Sequence, residues 1–167
     1  MPAQSSAVLA ALGLGSNLQQ PREQLQRAIE SLQVLPLSRL LRISRFYRTP
    51  PAGGPSGQDD YCNAAVLLET TLAPLELLAH LQSIEDAQGR DREAAHWGPR
   101  TLDLDLLTYG DLLLEHPRLR LPHPALSQRD FALLPLAEIA PELAIPGQGS
   151  VKTMADALAA APLKAWD

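Results

Sequence analysis

The stretch His96-Trp97-Gly98-Pro99-Arg100-Thr101-Leu102-Asp103-Leu104-Asp105-Leu106-Leu107 limits what this chain can fold into more than any other. Leucine and aspartate alternate at period 2, the pattern of a half-buried strand. On such a strand Leu102, Leu104 and Leu106 face a core, and Asp103 and Asp105 share the opposite face. Their Cα atoms then lie about 6.5–7 Å apart, two strand rises, so both carboxylates reach one hard cation or a closely spaced pair. Mg²⁺ takes one or two protein carboxylates and completes its shell with water and phosphate oxygens. A solvated acidic face is the simpler meaning of two aspartates. The flanking Arg90, Arg92 and Arg100 argue for more, because two like charges on one face repel and arginines are what a polyphosphate site needs.

At 167 residues the chain suits one domain, 1–167, with residues 1–6 expected to be disordered. A net charge of −5 gives no support to nucleic-acid or membrane-surface binding. Cys62 is the one cysteine, which excludes an internal disulfide and fits a reducing compartment, as a small buried filler. The apolar run from Ala7 to Leu14 is too short to span a bilayer. A cytoplasmic location is expected.

Read in order, Val8 to Leu14 is a buried strand, and Gly13-Leu14-Gly15-Ser16-Asn17 a tight turn. Pro21 opens a helix with Leu25, Ala28, Ile29 and Leu32 as its apolar stripe. Leu40 to Arg48 reads as one strand, with Leu41 and Ile43 alternating against Arg42, Ser44 and Phe46. The segment Thr49 to Gly57 has too much proline and glycine for regular structure and has the look of a binding loop. A third strand, Tyr61 to Glu69, carries Asn63, an amide suited to reading a heterocycle's edge. Pro74 opens a second helix, with Leu75, Leu78 and Leu81 inward and Gln82 and Glu85 on one face, ending at Gly89. Arg90 to Arg100 is a basic loop in position to clamp phosphate. A turn at Tyr109-Gly110-Asp111 precedes short strands at Leu112–Leu114 and Arg118–Leu121, then a rigid Pro122-His123-Pro124 corner. Ser127 is the expected N-cap of a helix through Phe131, Leu134 and Leu136 that Pro135 bends or ends. A closing strand or turn and an alanine-rich helix complete the chain without evident chemistry.

Several of these segments together resemble the 6-hydroxymethyl-7,8-dihydropterin pyrophosphokinase family. They are Leu12-Gly-Leu-Gly-Ser-Asn17, Phe46-Tyr-Arg-Thr-Pro-Pro51, Asp60-Tyr-Cys-Asn-Ala-Ala65, Gln82 to Glu85, and Arg90-x-Arg92 followed by Trp97 to Leu107. Pro122-His-Pro124 and Pro135 to Glu142 continue the set in the family's order. The resemblance implies an α+β fold, a ferredoxin-like antiparallel sheet flanked by helices in three αβα layers. It implies transfer of diphosphate from ATP to 6-hydroxymethyl-7,8-dihydropterin, giving AMP and the pterin diphosphate, in folate biosynthesis; a monomer is expected. It further implies that Asp103 and Asp105 hold two Mg²⁺ ions and that Arg90 and Arg92 act on the transferred group. Arg100, His123 and Arg129 become phosphate partners, and Gln82, Glu85 and Arg118 line the nucleotide pocket. Trp97 and Phe131 wall the pterin, with Tyr61 beside them, Asn63 on its edge, and Thr49, Pro50 and Ala52 supplying backbone groups. Paired aspartates with arginines also occur in two-metal nucleotidyltransferases and nucleases, a competing class, and a non-catalytic interaction domain using the proline-rich segment is a third.

Overall fold

A computed structural model describes residues 6–17, 20–50, 60–89, 102–158 and 162–166. The expectations for residues 1–5, for the binding loop over 51–59 and for the basic loop over 90–101 lie outside them.

The order is β1 (Val8–Ser16), α1 (Pro21–Gln33), β2 (Ser38–Ile43), β3 (Tyr47–Thr49), β4 (Tyr61–Thr70), α2 (Pro74–Ala87) and β5 (Asp103–Tyr109). A hairpin of β6 (Leu114–His116) and β7 (Leu119–Leu121) follows, then a 3-10 turn and α3 (Asp130–Ile139). The chain closes with β8 (Ala144–Ile145), β9 (Gly149–Ser150), α4 (Val151–Leu158) and β10 (Lys164–Ala165). In the main sheet β1 lies between β4 and β5, and β2 and β3 pair with successive parts of β4, all antiparallel. This is the βαββαβ pattern of the ferredoxin-like α+β fold.

Side-chain parity builds the layers. On one face Leu12, Leu14, Val66, Leu68, Leu104 and Leu106 meet Leu25, Ile29 and Leu32 of α1 and Leu77, Leu78 and Leu81 of α2. On the other, Ala65, Leu67 and Leu107 meet Leu133, Leu136 and Ile139 of α3 and Met154 of α4. Each fully buried leucine contributes about 1.5–3 kcal/mol over its exposed state. Cys62 is fully buried, and burial above all pushes its thiol pKa up to about 12, so it is filler, not nucleophile. Among the described residues no helix is long and apolar enough to cross a membrane.

The strand expected over Leu40 to Arg48 is broken in two. A bulge between Leu40 and Arg42 shifts its register, and Leu41 and Ile43 stay exposed while Ser44 is buried. Ser44 keeps pairing with Ala65, its own N–H donating to the Ala65 carbonyl and its Oγ accepting the Ala65 N–H, both at 2.9 Å. The Arg45 N–H leaves the ladder because Glu138 of α3 captures it at 2.8 Å. Pro135 does not end the helix, since α3 runs through it to Ile139. Ala132, Leu133, Leu136 and Ile139 are buried in one contiguous cluster, which outweighs a single lost backbone bond. Ser127 lies within the 3-10 turn Leu126–Gln128, and Arg129 occupies the N-cap position instead. The hairpin strands sit near their expected places, with Gly110 turning the chain at φ +55.

Glu138 also accepts from Arg45 Nε at 3.3 Å and from the Tyr47 hydroxyl. Partial burial works to raise its pKa, but the bonds from Tyr47 and Arg45 outweigh it and hold the carboxyl below its ordinary 4.5. A carboxylate depressed on folding adds stability above its unfolded pKa, and that stability is lost as pH falls through the folded value. Thermal melts of Glu138→Gln are therefore expected to fall less steeply than those of the unsubstituted chain below pH 4.5. Equal acid slopes would show that this clamp contributes nothing.

Candidate active site

Asn63 of β4, Gly15 of β1 and Asp103 of β5 lie opposite one another across three strands. Opposed residues of a ladder point to the same face, so Asn63 and Asp103 look out on the α3 side with only Gly15 between them. A Cβ on Gly15 would come within 2.8 Å of Asn63 Oδ1 and 3.8 Å of the Tyr61 ring. The glycine is thus required by what crosses it. Gly13 to Ser16 therefore continue β1 instead of forming the expected turn.

The Asn63 amide is fixed. It is 6 % exposed, and its Nδ2 donates to the Oγ1 of Thr49, itself 5 % exposed. Tyr61, half-buried two residues before Asn63, has the same parity, and Pro50 is exposed beside Thr49. Phe131, half-buried in the first turn of α3, packs against the second core cluster.

Asp103 and Asp105 are both half-buried on the α3 side of β5, as the alternation requires. Arg129 Nη1 lies 3.5 Å from Asp105 Oδ2, and its guanidinium is 5.5 Å from the centre of the Phe131 ring. One cation therefore joins the acidic edge to the aromatic wall. The histidine corner is tied to the same strand, since the His123 N–H donates to the Leu107 carbonyl at 2.8 Å. The Ala125 N–H donates to His123 Nδ1 at 3.2 Å, which leaves the proton of the neutral ring on Nε2. Burial first, then the positive Arg129, lowers the His123 pKa to about 4 against the opposing pull of Asp103. At neutral pH this imidazole is an uncharged N–H donor.

Glu85 occupies a different position. Its helix packs on the opposite face, it is 4 % exposed, and its Oε2 accepts the Leu104 N–H at 2.7 Å. It holds the backbone between the two aspartates. Gln82 is half-buried one turn earlier, and Arg118 is exposed just ahead of β7. The structure thus brings together Thr49, Tyr61, Asn63, Asp103, Asp105, His123, Arg129 and Phe131. Ala52, Arg90, Arg92, Trp97 and Arg100 lie outside the described residues.

Among the described residues no three His, Cys, Asp or Glu side chains form a metal cage. Two carboxylates on one strand face are instead the donor set of Mg²⁺, which draws its other ligands from water and phosphate. The residues present fit that ion.

Residues 11–141 match the model of 7,8-dihydro-6-hydroxymethylpterin-pyrophosphokinase (HPPK). The chain belongs to this family. The 2-amino-4-hydroxy-6-hydroxymethyldihydropteridine pyrophosphokinase of Pseudomonas aeruginosa is 49% identical over 135 residues, 81% of this chain and 82% of that protein. The enzyme of the same name from Haemophilus influenzae is 45% identical over 139 residues, 83% and 86% of the two chains. Among solved structures, the Plasmodium falciparum HPPK-DHPS with pteroate superposes with a TM-score of 0.71 over 94% of this chain at 14% identity. That likeness concerns the fold, and this chain spans 43% of the solved one. The HPPK-family sequence carries two site features that motif reading passes over. Gly15 and Gly13 recur at period 2 inside an apolar strand, a sign of close approach. Glu138 has no local signal, because its partners lie more than ninety residues away.

Proposed function

We infer that this chain runs the family's reaction on the α3 face, transferring diphosphate from ATP to the hydroxymethyl oxygen of 6-hydroxymethyl-7,8-dihydropterin. The products are AMP and the pterin diphosphate, a step of folate biosynthesis, and the protein is an ATP-dependent diphosphotransferase. The observation that carries the reading is the row Asn63–Gly15–Asp103, which sets a fixed amide and a carboxylate pair on one face with a glycine between them.

Asp103 and Asp105 would hold Mg²⁺, two ions by the family's likeness. When bound there the metal supplies positive charge shared by the attacking oxygen and the triphosphate. The protein's own part is positioning, the larger share of such catalysis. Asn63 presents its amide to the pterin edge, with Thr49 fixing which end is donor, while Phe131 walls the ring and Tyr61 lies beside it. The hydroxymethyl oxygen attacks the β-phosphorus, the bond from that phosphorus to the α–β bridging oxygen breaks with its electron pair staying on the departing AMP, and the hydroxymethyl proton passes to solvent water.

Arg129, held beside Asp105, would contact the phosphates, and neutral His123 would donate its Nε2–H to a phosphate oxygen. Arg90 and Arg92 would stabilise charge on the transferred diphosphate and Arg100 would add a phosphate contact, with Trp97 as the second pterin wall, Ala52 and Pro50 as backbone contacts, and Gln82, Glu85 and Arg118 lining the nucleotide pocket. We further take residues 1–167 as one pyrophosphokinase domain, a monomer working in the cytoplasm, where a buried reduced Cys62 is at home.

The test is AMP release from ATP and Mg²⁺ with and without the pterin. AMP that appears only with the pterin, alongside a diphosphorylated pterin, supports the assignment. Pterin-independent AMP or nucleic-acid cleavage would move the site to the nucleotidyltransferase or nuclease class.

A further inference from the structure

The family match ends at residue 141, yet the chain continues into a short C-terminal strand that reaches back to the pterin side of the site. β10 pairs antiparallel with β3, Lys164 opposite Arg48 and Ala165 opposite Tyr47. The Trp166 N–H then donates to the Phe46 carbonyl at 2.9 Å. The Arg48 guanidinium lies 3.9 Å from the centre of the Trp166 ring, and its Nη1 is 3.8 Å from Asp60 Oδ2. Trp166 is half-buried against Phe46 and the first core cluster.

β3 has three residues, too few to hold its place as an unsupported edge. Its alternation assigns each residue a task. Tyr47 and Thr49 face inward, Tyr47 to Glu138 and Thr49 to Asn63, while Arg48 faces out. Moving Arg48 therefore moves Thr49, and Thr49 decides how the Asn63 amide is turned. With Nδ2 committed to Thr49, Oδ1 is left lying over Gly15. Among the described residues, Arg48 is held by the Trp166 ring and by Asp60, the residue before β4.

We propose that the C-terminal strand is a positioning element for the pterin, with Trp166 acting through Arg48 and Thr49 on the Asn63 amide. Trp166 touches no substrate in this scheme. The proposal rests on the reading of Asn63 as the pterin-edge residue. β10 pairs with β3 at one edge of the sheet and β5, which carries the aspartate pair, lies at the other, so the nucleotide half of the reaction is left to other elements. A tail needed only for stability would act on both halves together.

The experiment compares the full-length chain with Trp166→Ala and Trp166→Phe, measuring KM for pterin and for ATP separately, kcat and Tm. Loss of the ring is expected to raise the pterin KM about five-fold or more, the scale of one cation–π contact. The ATP KM should stay within about two-fold, the split that marks lost positioning of one substrate. Trp166→Phe should restore most of the pterin KM, because a smaller ring still faces Arg48. Arg48→Gln leaves the strand in place, and it should give the same KM split even where Trp166→Ala fails to fold. An unchanged pterin KM in the Arg48 variant, or both KM values rising together with a falling Tm, would overturn the proposal. Pterin-independent behaviour of the unsubstituted chain would instead overturn the assigned reaction.

Discussion

Asp103→Ala is expected to lower turnover by about 10²–10³-fold or more, the loss seen when a main group stabilising developing charge is removed. The carboxylate contributes nothing to either core cluster, so Tm should stay within about 2 °C, as for a surface change in a chain of this size. Two further readings separate lost metal from lost fold. The variant should need far more Mg²⁺ for its residual activity, and it should still bind the pterin, which is proposed to rest on Asn63 of β4. Asp103→Asn keeps the size and removes the charge, so it should behave like the alanine variant. Full activity in either would sink the metal assignment and leave the pterin site standing.

The second large effect falls on a residue with no side chain. Gly15→Ala places a methyl 2.8 Å from Asn63 Oδ1, closer than such atoms pack. The amide must turn away from Thr49, or the strands must part. Either costs the oriented Asn63–Thr49 hydrogen bond at the proposed pterin edge, worth about 1–3 kcal/mol when a buried polar group is left unpaired. The pterin KM should rise about ten-fold or more, with the ATP KM nearly unchanged. Gly13→Ala is the control two residues earlier on the same face, where the added methyl meets Leu107 at an ordinary 3.6 Å. It should be close to neutral. Equal effects at the two positions would mean that β1 tolerates no side chain anywhere, and that Asn63 is not the reason.

The contrast between these glycines shows where reading from sequence succeeds. Alternation in Leu102 to Leu106 depends only on strand geometry, and both aspartates emerged on the expected face. The stripe of α1 is equally local, and Leu25, Ala28, Ile29 and Leu32 are all buried. Pro21 and Pro74 marked both helix starts because proline acts on its own backbone. Expectations failed where a distant group decided the outcome. β2 and β3 separate because Glu138 draws off the Arg45 N–H. Glu85 shares its helix face with Gln82 as the spacing requires, and only the fold shows that it also accepts the Leu104 N–H of β5.

The amino-acid order by itself determined the helices, most of the strands, the two-sided core and the family of the reaction, because those follow from periodicities and motifs within a few residues. Tertiary structure alone decided that Asn63, Gly15 and Asp103 form one row, that Arg129 meets Asp105, and that Trp166 closes on Arg48. Strand register and helix packing bring together residues separated by tens of positions, and no local pattern encodes the partner that pairing selects.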